Sequence, residues 1–222
     1  MWKSIIYKEW LKIRKPAIIL FLAGILLIIG IYSGVRHDLI LRDAELVWVK
    51  ILIMNSVYFT ILKFFPLIIG LLVGIAQFVP EIIDKRIKLT LHLPVNEETV
   101  VLKMIGFGVF SLFIVFGIML LLFYSLGSYY FPYEIAGPSL VSILPWFMAG
   151  LASYFLVAFV IMEPIWKYRI FYIILGASFI SLFFKGGIVG DYAPVLFSLL
   201  LLVVCSSIAT LFSIYRFRKG EL

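Results

Sequence analysis

The stretch of residues 81–103, EIIDKRIKLTLHLPVNEETVVLK, separates two long apolar runs and decides how the chain divides into helices. Its basic and acidic side chains are equal in number, so simple attraction to anionic lipid does not explain it. Pro94 ends any helix that begins at the start of the stretch, because proline lacks the amide hydrogen and clashes with the preceding turn. Asn96 then fits a helix N-cap, and Glu97 and Glu98 fall in the first turn, where the helix dipole favours negative charge. The stretch therefore predicts a short helix, a break and a new helix that enters the next apolar run.

The composition of the whole chain indicates a membrane protein. Of its 222 residues, 64% are hydrophobic and only 14% are charged, and the mean hydropathy is +1.16. A soluble domain cannot cover that much apolar surface. One membrane span needs about 20 apolar residues, so a chain of this length holds about six spans joined by short loops. The net charge of +7 is expected to come from cytoplasmic lysine and arginine rather than from a nucleic-acid surface.

The apolar runs predict one all-α transmembrane domain over residues 1–222. The six spans are placed at about 17–33, 57–79, 105–127, 141–162, 170–184 and 194–214. The run from Leu46 to Val79 is too long for one crossing, so residues 40–56 are expected to form an outer extension. The glycine-rich return at 185–193 fits either a re-entrant break or a plain outer loop.

The first fifteen residues predict an amphipathic helix that lies in the membrane interface. Apolar residues at helical spacing have lysines between them, which directs tryptophan toward lipid and lysine toward the headgroups. Pro16 fits the first turn of the helix that follows. The expected interface anchor consists of Trp2, Lys3, Lys8, Trp10 and Lys12.

The distribution of basic residues predicts the orientation. With the amino terminus inside, the cytoplasmic segments hold fourteen of the lysine and arginine residues and the outer segments hold four. This bias places both termini and the stretch 81–103 in the cytoplasm. We expect an integral protein of the bacterial inner (cytoplasmic) membrane.

The sequence lacks the side chains that intramembrane catalysis or a metal site requires. His37 and His92 fall in different loops, and the one cysteine, Cys205, falls in an apolar run. Neither a metal site nor a disulfide framework is therefore predicted. No Gly-x-x-x-x-Gly-Lys-Ser/Thr stretch occurs, so any ATP hydrolysis must be performed by another chain. The chain is predicted to be no enzyme and to have no catalytic residue.

A small set of polar side chains falls in or near the predicted spans. Five of them are candidates to line a path: Asn55, Thr60, Gln77, Ser178 and Ser181. Such residues also bond helices to one another or bond to their own backbone. A path this poor in charge suits a lipid-like, peptide or other amphipathic substrate better than an ion.

The stretch 81–103 also resembles a family pattern. It has an acid after a span, basic residues, a Thr-Leu, a Leu-x-Leu-Pro-Val turn and a lysine several residues later. This order is similar to the loop between the second and third spans in permease subunits of type-2 ABC exporters. The matching positions are Glu81, Thr90, Leu91, Leu93, Pro94, Val95 and Lys103. Two positions depart from the pattern, because Lys88 stands where many members have glycine and Asn96 stands where serine is common.

In that family the loop carries a coupling helix that docks on a cytosolic ATPase. The resemblance implies a permease subunit beside a second copy or a related permease chain, with cytosolic ABC ATPase subunits beneath and lipid around it. ATP and magnesium would belong to the ATPase, and no cofactor to this chain. On this basis we expect the docking positions to be Glu81, Asp84, Lys85, Arg86, Lys88 and Thr90. The alternative is a non-transporting membrane scaffold or immunity-type protein, in which 81–103 is a solvated loop.

Overall fold

The computed structural model describes residues 2–41, 49, 51, 57–83, 97–163, 165–186 and 190–219, without the side chains of 2–5, 97–99 and 211–219. Every regular element in these ranges is helical. The long helices are α1 (Trp2–Leu41), α2 (Phe65–Ile83), α3 (Glu97–Tyr130), α4 (Tyr133–Met162), α5 (Trp166–Ser181) and α6 (Leu196–Lys219). Short 3-10 turns lie at Thr60–Leu62, Leu182–Phe184 and Ala193–Val195.

Six of the described helical segments are long and apolar enough to cross a membrane, and each predicted span overlaps one of them. The predicted all-α class with six candidate spans is therefore confirmed. Five of the six helices are longer than the predicted spans, whereas α2 is shorter than the predicted 57–79, and α1 alone has 40 residues. At 1.5 Å per residue α1 measures about 60 Å, roughly twice the hydrocarbon core of a bilayer. Part of α1 therefore extends beyond the apolar layer.

The amino-terminal region differs from the predicted pair of helices. Residues 1–15 and 17–33 were expected to form two helices that meet at Pro16, whereas α1 continues through Pro16 without interruption. Proline removes the hydrogen bond to the carbonyl four residues earlier and crowds the preceding turn, and packing in a membrane protein compensates for these costs. Ile13 and Ala17 are both buried, so α1 is packed against the other helices on either side of Pro16.

The bounds of α2 and α3, the helices on either side of the stretch 81–103, agree only in part with the predicted spans. α2 begins later than predicted, at Phe65, and continues through Pro80 to Ile83. α3 is described from Glu97 onward, and the predicted N-cap, Asn96, lies outside the described residues. Two predicted features lie mostly outside the described residues. The short helix predicted within 81–93 is described only at 81–83. The outer extension predicted at 40–56 is described only at 40, 41, 49 and 51.

α4 is the central helix of the bundle and contacts α2, α3, α5 and α6. Its closest approach to α2 occurs between two glycines. A Cβ atom on Gly70 would lie 1.9 Å from the carbonyl oxygen of Gly150, and the Ser153 hydroxyl donates to the carbonyl of Leu67 at 3.2 Å. Small residues at a crossing allow membrane helices to pack by backbone contact. α2 and α4 therefore form the most closely packed pair among the described helices.

Aromatic side chains hold one end of the bundle. The Tyr32 hydroxyl donates to the carbonyl of Phe123 at 2.8 Å, and the Tyr32 ring stacks on Tyr130 with centroids 5.9 Å apart. The Phe59 ring lies 5.6 Å from Trp146. Aromatic pairs at these distances add to the stabilisation from burial alone. The opposite end of α1, α2 and α4 is held by polar groups instead.

The return between α5 and α6 is tied to the rest of the fold by Tyr192. Its hydroxyl accepts from the Gly186 amide at 2.6 Å and donates to the Phe183 carbonyl at 3.0 Å. The Gly190 amide donates to the Ser142 hydroxyl at 2.8 Å, which joins the return to α4. Burial raises the pKa of Tyr192, so its hydroxyl keeps the proton that it donates. Residues 187–189 of this return lie outside the described residues.

Candidate functional site

A buried ionic cluster joins α1 to the last turns of α2. The carboxylate of Glu81 is fully buried, and its Oε1 atom accepts from the ammonium groups of Lys12 at 2.5 Å and Lys8 at 2.8 Å. Lys12 also reaches Oε1 of Glu9 at 2.6 Å. Lys8 and Lys12 are four residues apart and therefore point to the same side of α1. The helical period brings both lysines to one acid of α2.

Gln77 extends this cluster to two further helices. It lies one turn before Glu81 on α2, and its amide nitrogen donates to Oε2 of Glu9 at 3.0 Å and to the carbonyl of Met104 at 2.7 Å. Its amide oxygen accepts from the Tyr154 hydroxyl at 2.8 Å. Met104 belongs to α3 and Tyr154 to α4. We call Lys8, Glu9, Lys12, Gln77, Glu81 and Tyr154 the polar network.

The network fits only because α3 has a glycine beside it. A Cβ atom on Gly108 would lie 2.0 Å from the Tyr154 hydroxyl oxygen and 2.4 Å from Oε1 of Gln77. Carbon atoms do not approach polar oxygens so closely, so a side chain at this position would displace both groups. Gly108 therefore gives α3 the space to pack against the Gln77–Tyr154 hydrogen bond.

The network contains two acids and two bases, so its formal charges balance. Glu9, Gln77 and Glu81 are fully buried, and the Lys12 side chain is only 8% exposed. Lys8 is the partial exception, with 34% of its side chain exposed. Charges removed from water are tolerated when they are paired and hydrogen-bonded. The second carboxylate oxygen of Glu81 has no hydrogen-bond partner among the described residues, so this acid has unused accepting capacity.

The arrangement is suited to holding helices together. It connects α1, α2, α3 and α4 at one end of the bundle through side chains that are almost all inaccessible to solvent. No group of three or more potential metal ligands occurs in the described residues. Because the network joins α2 to α1, α3 and α4, displacement of the last turn of α2 would be transmitted to these three helices.

The predicted anchor and docking residues divide between the described and the remaining parts of the chain. The structure brings Lys8 and Lys12 together with Glu81, and it leaves the Trp10 side chain 42% exposed. Trp2 and Lys3 belong to α1, and their side chains lie outside the described part. The docking positions outside the described residues are Asp84, Lys85, Arg86, Lys88 and Thr90.

The described candidates for path lining lie in three different places. Gln77 is buried in the network, whereas Thr60 is exposed in the 3-10 turn that precedes α2. Ser178 and Ser181 are exposed on α5 and donate to the carbonyls of Ile174 and Ser178 in their own helix. Backbone bonding is thus the observed role of both serines. Asn55 lies outside the described residues.

Two network residues, Glu9 and Tyr154, and the supporting Gly108 were not identified from the sequence. Glu9 gave a usable signal, because it is the only acid in the first 37 residues and lies between two lysines on a helix. A lone acid that enters the membrane with a helix needs a partner. Tyr154 and Gly108 gave none, since tyrosine and glycine are common throughout the apolar runs.

Comparisons with known proteins do not assign this chain to a group. No family model matches the sequence, and neither the curated proteins nor the solved structures contain a match.

Proposed function

We propose that the chain is the membrane-spanning permease subunit of an ATP-driven exporter of the type-2 ABC class. The proposal rests on the resemblance of residues 81–103 to the ATPase-docking loop of that class, together with the six candidate spans. The observation that carries it further is the position of the polar network. Glu81 is the first residue of the resembling stretch and is also the buried acid that binds Lys8 and Lys12.

The network offers a route for mechanical coupling. An ATPase that pushes on the segment after Ile83 would move the last turn of α2. Because Glu81 and Gln77 bond α1, α3 and α4, these helices would move with α2 rather than slide past it. A second permease chain would supply the other wall of the transport route, and ATP and magnesium would bind to the cytosolic partner. The substrate class that we propose is lipid-like, peptide or otherwise amphipathic.

Purification of the tagged chain in mild detergent, with the co-purifying proteins identified by mass spectrometry, tests the partner. We expect a stoichiometric ATP-binding protein. Asp84→Lys combined with Lys85→Glu should detach that protein or abolish stimulated ATP hydrolysis while the chain stays folded. Lys167→Glu is the matched control, because Lys167 is an exposed charge at the start of α5, and it should retain the partner.

The absence of any ATP-binding protein would reject the permease assignment and favour the scaffold or immunity-type alternative. An unchanged complex and ATPase rate in the charge-reversed variant would reject the docking positions. Stimulation of the complex by ions, but not by lipids or peptides, would contradict the amphipathic substrate class.

A further inference from the structure

A narrow apolar groove lies where α2, α4 and α5 meet, on the side of α2 that borders α5. Its volume is about 250 Å³, and its walls include Ile82 and Ile83 of α2, Ile161 of α4, and Trp166, Ile170 and Ile173 of α5. Pockets for compact drug-sized ligands begin at about 300 Å³. The small volume and apolar walls suit a single hydrocarbon chain.

Arg169 is the one charged residue in the described lining of this groove. Its Nε donates to the carbonyl of Glu163 at 2.6 Å, and its Nη2 donates to the carbonyl of Ile161 at 3.4 Å. These bonds to the end of α4 hold the guanidinium in place. They use two of the five N–H groups of an arginine, so the group retains donors for a phosphate oxygen. Arginine recognises phosphate through such paired donors.

Trp166 indicates the depth of the groove in the membrane. It is the first residue of α5, it is 69% exposed, and its ring centroid lies 5.8 Å from Cζ of Arg169. Exposed tryptophan at the end of a spanning helix is typical of the headgroup region. Ile170 and Ile173 follow at spacings of four and seven residues from Trp166, so they continue the same face of α5 toward the apolar layer. The Arg169 guanidinium thus lies at headgroup depth, and the apolar groove extends from it toward the apolar layer.

We propose that this groove binds one anionic phospholipid. The phosphate contacts the Arg169 guanidinium, and one acyl chain lies along Ile170 and Ile173. Charge complementarity identifies the lipid class, because a fixed guanidinium favours a headgroup with net negative charge over a zwitterionic one. The site is independent of the proposed transport function.

Native mass spectrometry of the delipidated full chain in detergent tests this site. Phosphatidylglycerol and phosphatidylcholine with identical acyl chains are titrated separately. We expect one phosphatidylglycerol to bind at least tenfold more tightly than phosphatidylcholine. Arg169→Gln should weaken phosphatidylglycerol binding about tenfold, as loss of a charge-assisted hydrogen bond predicts. Excess inorganic phosphate should not displace the bound lipid, because phosphate alone lacks the chain.

A pair of tryptophan variants tests the groove separately from the charge. Ile170→Trp fills the groove and should weaken phosphatidylglycerol binding about tenfold. Ile174→Trp is the matched control on the same helix, exposed but outside the groove, and should leave binding unchanged. This pair remains decisive if Arg169→Gln unfolds through loss of its bonds to α4. Equal binding of the two lipids, displacement by phosphate, or equal effects of the two tryptophan variants would overturn the proposal.

Discussion

Glu81 shows how one buried residue can control the stability of this bundle. Two ammonium groups share one of its carboxylate oxygens, and the surroundings of that carboxylate are otherwise almost closed to water. Removing one partner of a buried ion pair leaves an uncompensated charge, which costs more than replacing both partners by apolar groups. The buried lysine therefore needs the acid, and the acid needs the lysine.

Glu81→Gln is expected to lower the free energy of unfolding by about 3 kcal/mol, because Lys8 and Lys12 then share a single acid, Glu9, and one buried positive charge is in excess. Adding Lys8→Met should recover part of that loss, since the ion pair of Lys12 with Glu9 is kept and the formal charges of the network balance again. Chemical unfolding in detergent, followed by circular dichroism, measures both values. Glu134→Gln, an exposed acid at the start of α4, should change the value by less than about 0.5 kcal/mol. A double variant that is as unstable as the sum of the singles would contradict this coupling.

At the scale of the element, the position of α3 depends on a single glycine. Gly108 leaves no room for a side chain beneath the Gln77–Tyr154 hydrogen bond. Gly106, two residues earlier on the same helix, has no atom within 4 Å of the position a Cβ would take. The two glycines thus have the same local chemistry and different tertiary surroundings.

Gly108→Ala should destabilise the protein by about 1–3 kcal/mol, because the added methyl group overpacks the contact between α3 and α4. Gly106→Ala should be neutral or stabilising by up to about 1 kcal/mol, since alanine favours helix and the site is open. The midpoints of thermal unfolding of the two purified variants provide the comparison. Equal shifts in the two midpoints would show that helix propensity, rather than the contact with Tyr154, accounts for the effect.

At the scale of the whole molecule, the six candidate spans divide into a packed centre and a more exposed periphery. α4 is the most buried of them, and α5 and α6 expose many large apolar side chains. If all six candidate spans cross, the two ends of the chain are predicted to lie on the same side of the membrane. The excess of lysine and arginine at both termini predicts that this side is the cytoplasm.

Labelling of single cysteines by a membrane-impermeant maleimide tests this orientation in a Cys205→Ser background. Glu134→Cys, at the start of α4, should react in intact cells, because the basic-residue bias places it outside. Lys167→Cys, at the start of α5, should react only in inverted vesicles. Both positions are exposed, so accessibility within the fold does not limit the reaction. The reverse pattern would invert the topology and place residues 84–96 away from any cytosolic ATPase.

The sequence by itself determined the all-α class and the approximate positions of the six candidate spans. Helices that cross lipid must satisfy their backbone hydrogen bonds locally, so the length and composition of each apolar run define the helix without reference to its neighbours. The helix start predicted at Asn96 and Glu97 depends on equally local reasoning, because capping and dipole effects act within one turn, and α3 is described from Glu97 onward. The expected break at Pro16 was wrong, since packing on both sides of that residue outweighs its local preference.

Only the tertiary structure decided which polar residues meet. Lys12 and Glu81 are separated by 69 positions, and Tyr154 and Gln77 by 77. A charged residue in an apolar run shows that it needs a partner. The hydrophobic pattern does not specify which helix face carries that partner, because lipid and neighbouring helices are equally apolar. The close crossing of Gly70 on Gly150 and the space beside Gly108 fix those faces. The network therefore depends on contacts that form only when four helices have assembled.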